Sequence, residues 1–110
     1  MNILLTCAGR RNYLVQYFQV ALDGRGLVYA TDTSPSAPAL HDADVSLIVP
    51  AVSDADYIET LLRICRTNKI KLLFSLNDLE LPVIARERKR FLQVGTIPVV
   101  SDSDVIDTCL

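Results

Sequence analysis

Three short segments of this chain carry groups suited to ligand binding, and each directly follows a short apolar run. The first offers a glycine beside two arginines, a combination that presents backbone N–H groups and positive charge to an anion. The other two offer carboxylates and an amide, which accept hydrogen bonds from amines and hydroxyls. We expect these segments to form one wall of a binding cleft, and its candidate residues are Gly9, Arg10, Arg11, Asp32, Asn77, Asp78 and Glu80.

The acidic candidates also have explanations that need no ligand. Asp32 stands where Rossmann proteins place the acceptor of a ribose hydroxyl, and it equally suits an Asx turn. Asn77 or Asp78 fits the cap of a following helix. Glu80 has less structural purpose and is the better ligand candidate of the third segment.

The first segment lacks the motifs of tight nucleotide binding. It has one glycine, Gly9, and neither a Gly-x-Gly-x-x-Gly fingerprint nor a Gly-Lys-Ser/Thr ending. Arg10 and Arg11 at the start of a helix oppose the helix dipole by roughly 0.3 to 1 kcal/mol each. An anionic ligand or a neighbouring carboxylate explains them better than helix stability does, and solvated or domain-docking arginines are the alternative.

The cysteines and the histidine predict neither a metal site nor a catalytic residue. Cys7, Cys65 and Cys109 are widely spaced with no Cys-x-x-Cys, and His41 is the only histidine. Cys7 has no histidine in its own loop to activate it, and Cys65 fits the apolar stripe of a helix. An odd set of unpaired cysteines favours a reducing, cytoplasmic location.

Alternating apolar runs and amphipathic stretches predict the elements that position the candidate residues. Continuous apolar runs are typical of strands buried on both faces, and they occur at residues 2–6, 26–31, 45–49, 71–75 and 97–100. Helical periodicity predicts helices over residues 11–22, from Ser53 onward, and over residues 80–94. Two prolines in residues 32–44 preclude a long helix there. This alternation favours an α/β fold with a parallel sheet and helices on both faces.

Composition limits the partners. The chain has 110 residues, half of them hydrophobic, and a net charge of -2, so we expect one domain, no nucleic-acid partner and no membrane partner. The basic run at residues 86–90 suits the solvated face of a helix better than a nucleic-acid patch.

The carboxyl end predicts a boundary. Residues 101–104 (SDSD) are a cluster of N-cap candidates that opens a helix over residues 105–110. We expect residues 1–100 to form the domain and residues 101–110 to begin a helix leading into a further domain beyond Leu110. A short terminal helix docked on the sheet is the alternative.

These motifs together resemble a known domain. They are NILLTCAGRR at residues 2–11, ATDTSPSAPAL at residues 30–40, Ala43-Asp44, and NDLEL at residues 77–81. This set resembles the N-terminal pre-ATP-grasp domain of the ATP-grasp ligase superfamily, particularly the proteins similar to the large subunit of carbamoyl-phosphate synthase. The resemblance covers the whole chain and implies a Rossmann-like three-layer α/β/α fold with a five-stranded parallel sheet in the order 3-2-1-4-5.

The resemblance also implies a division of labour. Such a ligase activates a carboxylate with ATP as an acyl phosphate and passes it to an amine-type nucleophile. ATP and Mg²⁺ (or Mn²⁺) belong to the ATP-grasp domain, the expected partner of this segment, which itself binds no cofactor and is noncatalytic. This segment then supplies one wall of the cleft for a small carboxylate or amine substrate, with Gly9, Arg10, Asp32 and Glu80 as the foremost candidates.

Two alternatives of other classes stay open. One is a free-standing nucleotide-binding Rossmann module, favoured by Asp32 and opposed by the missing glycines. The other is a noncatalytic interaction or regulatory domain that forms a homodimer through exposed helix faces.

Overall fold

The structure, a computed structural model, describes residues 1–7, 9, 11–76 and 79–99. Its centre is a five-stranded sheet in the order 3-2-1-4-5 in which every neighbouring pair is parallel. This confirms the predicted α/β fold and strand order. The strands are β1 Asn2–Thr6, β2 Val28–Asp32, β3 Val45–Ile48, β4 Ile70–Ser75 and β5 Ile97–Val99.

Five helices connect the described strands and complete the Rossmann-like α/β arrangement. They are α1 Asn12–Leu22, α2 Pro38–Asp42, α3 Tyr57–Thr67, α4 Leu81–Arg86 and α5 Arg88–Gln93. Alternate residues of a strand point to opposite faces of the sheet, so each strand serves two cores. Ile3 and Leu5 of β1 pack with α1 and α2, whereas Leu4 packs with α3, α4 and α5.

The position of β1 in the middle of the sheet brings the candidate segments to one edge. Its last residue, Thr6, is paired with Ser75 at the end of β4, and β2 on its other side ends at Asp32. The loops that follow β1, β2 and β4 therefore leave the same carboxyl edge, where ligands of open parallel sheets bind.

Two helix boundaries differ from the sequence-based expectation. The helix expected from Ser53 begins at Tyr57, because the Asp54 side chain accepts a hydrogen bond from the Asp56 backbone N–H at 2.8 Å and closes a local turn first. The helix expected over residues 80–94 is divided at Glu87, whose φ of -103° and ψ of 14° depart from helical values. α4 and α5 are the two parts.

Some expectations lie outside the described residues. They concern Arg10, Asn77, Asp78 and the helix at residues 101–110, so those expectations stay predictions. Among the helices that the structure describes, none has the length and apolar character needed to cross a membrane.

Candidate functional site

The loop between β1 and α1 is tied to the end of β2. The Gly9 backbone N–H donates a hydrogen bond to Oδ2 of Asp32 over 2.8 Å. Gly9 has a φ of 53°, a left-handed conformation that glycine adopts without steric cost. The structure thus joins two of the predicted cleft residues, 23 positions apart in the chain, by a direct contact.

Asp32 forms the Asx turn that was one of its two interpretations. Its other carboxylate oxygen, Oδ1, accepts a hydrogen bond from the Ser34 backbone N–H at 3.1 Å. The side chain is half-buried, and each oxygen keeps a second lone pair after these contacts. Asp32 therefore organises the loop and still presents negative charge to the cleft.

Two cavities lie on either side of the contact between Gly9 and Asp32. One, of about 480 Å³, extends toward Ser34 and the start of α2. The other, of about 300 Å³, has Cys7 and Tyr57 in its lining and an apolar wall from residues 49–52. Among the described residues that line the smaller cavity, Asp32 is the only charged one. We name this smaller cavity the Asp32 pocket.

The Asp32 pocket is lined by a thiol and a phenol that the sequence did not identify as neighbours. The Cys7 thiol lies 3.8 Å from the hydroxyl of Tyr57, the first residue of α3. Burial, followed by the charges of Glu80 and Asp32, raises the pKa of Cys7 from 9.0 to about 12. A thiol that stays protonated at neutral pH is a poor nucleophile, and the absence of a catalytic role for Cys7 stays a prediction.

Glu80 lies beneath the first loop with no exposed surface. Its Oε1 accepts hydrogen bonds from the hydroxyls of Thr6 and Ser75 at the ends of β1 and β4. Burial raises the pKa of Glu80 from 4.5 to about 7, and polar contacts with Thr6 and Cys7 offset only part of that effect. Within the described part of the chain, Oε2 has no hydrogen-bond partner.

The placement of Glu80 gives it the structural purpose that the sequence did not indicate. The sequence gives only a weak indication that Thr6 and Ser75 bind Glu80: each is a hydroxyl residue at the end of an apolar strand. Glu80 is fully buried, and its neighbour Cys7 lies between it and the Asp32 pocket. Direct contact between Glu80 and a substrate stays a prediction.

Arg11 connects the first loop to the third. It precedes α1, is exposed, and its Nη1 donates a hydrogen bond to the backbone carbonyl of Leu76 just after β4. Arg11 places a positive charge near the N-terminus of α1, which the helix dipole disfavours. Its bond to the Leu76 carbonyl gives a partial explanation for this charge that needs no anionic ligand.

The described residues do not form a metal site. No group of three or more His, Cys, Asp or Glu side chains in residues 1–7, 9, 11–76 and 79–99 is arranged to hold an ion. What they do place near the first loop is one partly exposed carboxylate at Asp32 and one buried carboxyl group at Glu80.

A parallel sheet of this order, with one carboxylate at the end of β2 and a second after β4, is a Rossmann-like arrangement that matches the pre-ATP-grasp fold. The family model described as "PylC-like, N-terminal domain" matches residues 3–100. The chain belongs to that family, and the predicted resemblance to the N-terminal domains of ATP-grasp ligases is confirmed. No curated protein matches the sequence.

Solved structures share the fold. A glycinamide-RNase-transformylase T from Mycobacterium tuberculosis matches with a TM-score of 0.64 and 24% identity, over 90% of this chain and 28% of its own. The biotin carboxylase domain of a single-chain bacterial carboxylase matches with a TM-score of 0.66 and 18% identity, over 97% and 26%. A UDP-glucose 4-epimerase from Thermotoga maritima matches with a TM-score of 0.53 and 18% identity, over 87% and 35%. This chain thus spans about a third or less of each of these proteins.

Proposed function

We propose that this chain is the N-terminal cleft domain of an ATP-grasp ligase similar to the large subunit of carbamoyl-phosphate synthase. The parent reaction activates a carboxylate with ATP as an acyl phosphate and transfers the acyl group to an amine. Membership of the PylC-like N-terminal domain family supports the ligase class. The observation that carries the assignment of this domain is the Asp32 carboxylate, held at the edge of the cleft by Gly9.

Two observations support placing ATP and Mg²⁺ outside this domain. The first loop has a single glycine, and the described residues contain no group of three or more His, Cys, Asp or Glu side chains that could hold an ion. We therefore assign ATP and the metal ion to an ATP-grasp domain encoded after Leu110, and we assign the transfer chemistry to that domain as well.

The cleft residues act by binding and positioning. Asp32 attracts a protonated amine and accepts hydrogen bonds from it through its free lone pairs, while Gly9 holds the carboxylate in place. Residues 49–52 and Tyr57 exclude water from the apolar part of the ligand. Glu80 positions the first loop from below, since its carboxyl group bridges Thr6 and Ser75.

Trapping of the acyl phosphate tests the reaction class. The full-length protein is incubated with ATP, Mg²⁺, hydroxylamine and a panel of small carboxylates, and the hydroxamate and ADP are quantified. We expect hydroxamate and ADP to form in equal amounts with at least one carboxylate. ADP that forms without any hydroxamate, across a panel that includes amino acids, would contradict the proposed ligase chemistry.

The likeness to the epimerase and the position of Asp32 at the end of β2 favour a second candidate, a free-standing nucleotide-binding module. Isothermal titration of the 110-residue chain with NAD and with ATP separates the two. The cleft-domain proposal expects no tight binding of either nucleotide by this chain alone. A micromolar or tighter complex with NAD would favour the nucleotide-binding module instead.

A further inference from the structure

On the side of the sheet that carries α1, strands β4 and β5 present four apolar side chains. The strand register pairs Leu72 with Ile97 and Phe74 with Val99, and paired residues of neighbouring strands point to the same face. Leu72 and Phe74 pack in the core beside α1, so Ile97 and Val99 point to that side too. Ile97 is 40% exposed and Val99 is 43% exposed. We name these four residues the β4–β5 apolar face.

The opposite face of the same two strands is covered. Leu73 and Pro98 are buried there, and Phe91 of α5 is completely buried in the core of that side. On the α1 side, α1 contacts the patch through Phe18, whose ring centroid lies 4.8 Å from that of Phe74. With all the described helices in place, Ile97 and Val99 stay 40% and 43% exposed. All-parallel sheets are almost always covered on both faces, so the β4–β5 apolar face requires an occupant.

The chain itself supplies a segment of suitable position and sequence. Residues 100–110 follow β5 directly, and Val105, Ile106, Cys109 and Leu110 recur at the spacing of one helical stripe. Residues 105–110 span about 9 Å as a helix at 1.5 Å per residue. The two apolar pairs of the face are two strand positions apart, roughly 7 Å. A single short helix is therefore long enough to cover both pairs.

We propose that the β4–β5 apolar face is the docking surface for residues 101–110 of this chain. Docking buries Ile97 and Val99 under the apolar stripe and completes the third layer of the fold over β4 and β5. The inference does not depend on the proposed ligase activity, because it concerns packing alone. A second copy of the chain on the same face is the competing outcome.

A double-mutant cycle tests the docking. Ile106→Ser and Ile97→Ser are made singly and together in the 110-residue chain, and Tm is measured for each protein. We expect Ile106→Ser to lower Tm by roughly 4–8 °C in the unchanged chain and by much less when Ile97→Ser is present, because the lost contact is shared. Leu27→Ser is the matched control, since Leu27 is 43% exposed and lies just before β2, a strand that pairs with neither β4 nor β5. Equal effects of Ile106→Ser in all backgrounds would overturn the proposal.

Cross-linking gives a second measurement that does not depend on stability. An Ile97→Cys variant is treated with a short bismaleimide, and links to the native Cys109 are identified by mass spectrometry. Leu92→Cys serves as the control, because Leu92 is 46% exposed on α5, which packs against the opposite face of the sheet. We expect an intramolecular link from position 97 and none from position 92. Links that join two chains, together with a dimer in sedimentation velocity, would overturn the proposal in favour of a second copy.

Discussion

Replacement of Glu80 by glutamine removes an ionisable group from the bottom of the cleft wall with little change in shape. Glu80 has no exposed surface, and burial raises its pKa from 4.5 to about 7. The folded chain therefore binds a proton more tightly at this site than the unfolded chain does. The resulting stabilisation is fully present below pH 4.5 and is lost as the pH rises through about 7.

The magnitude follows from the two pKa values. A tenfold change in a proton-binding constant is worth about 1.4 kcal/mol, so the difference between 4.5 and about 7 corresponds to about 3 kcal/mol of unfolding free energy. Glu80→Gln removes this pH dependence. Its new amide N–H₂ takes the place of Oε2, which has no partner in the described part of the chain, and that costs about 1 to 3 kcal/mol at every pH.

Urea unfolding at pH 5, 6, 7 and 8 measures the effect for the unchanged chain and for Glu80→Gln. We expect the unchanged chain to lose about 2 to 3 kcal/mol relative to the variant over this range, because part of the total loss occurs below pH 5. Glu59→Gln, at an exposed position of α3, is the control and is expected to run parallel to the unchanged chain. Parallel curves for Glu80→Gln as well would refute the argument that Glu80 is buried and protonated near neutral pH.

Three further outcomes follow from the site geometry. Cys7, with a pKa of about 12, should react with a disulfide reagent at pH 8 roughly fifty-fold more slowly than free cysteine, and an equal rate would show that the thiol is not buried as described. Gly9→Ala should lower the unfolding free energy by about 1 to 2 kcal/mol through backbone strain alone, since its added Cβ meets nothing closer than 3.9 Å; an unchanged value in urea unfolding would contradict the left-handed φ. Asp32→Asn should cost about 1 to 3 kcal/mol because two backbone N–H groups lose a charged acceptor, and Asp54→Asn, with one such contact, should cost less; equal losses would argue against the link between Asp32 and Gly9.

The strands could be predicted from the sequence because a buried strand is recognised by its own consecutive residues. A strand such as β1, buried on both faces of a parallel sheet, appears as a continuous apolar run. The position of Asp32 and Glu80 at one edge also followed, since the carboxyl ends of parallel strands meet there.

The internal contacts of the site could not be predicted because they join distant positions. Cys7 and Tyr57 are 50 residues apart, and Thr6 and Glu80 are 74 residues apart. No local sequence pattern distinguishes a glutamate that faces a cleft from one that lies beneath it. The burial of Glu80 could therefore be recognised only from the three-dimensional structure. The start of α3 was misplaced for a related reason, because Asp54 closes a turn that competes with helix capping.

The dependence of the full-length protein on its amine substrate tests the proposed role of this domain most directly. ADP release is measured against amine concentration for the unchanged protein, for Asp32→Asn and for the control Asp54→Asn. We expect Asp32→Asn to raise the KM for the amine at least roughly tenfold, the equivalent of about 1.4 kcal/mol of lost binding, while the KM for ATP is unchanged in both variants. A rise in the KM for ATP with no change for the amine would contradict the assignment of Asp32 to the amine side of the cleft.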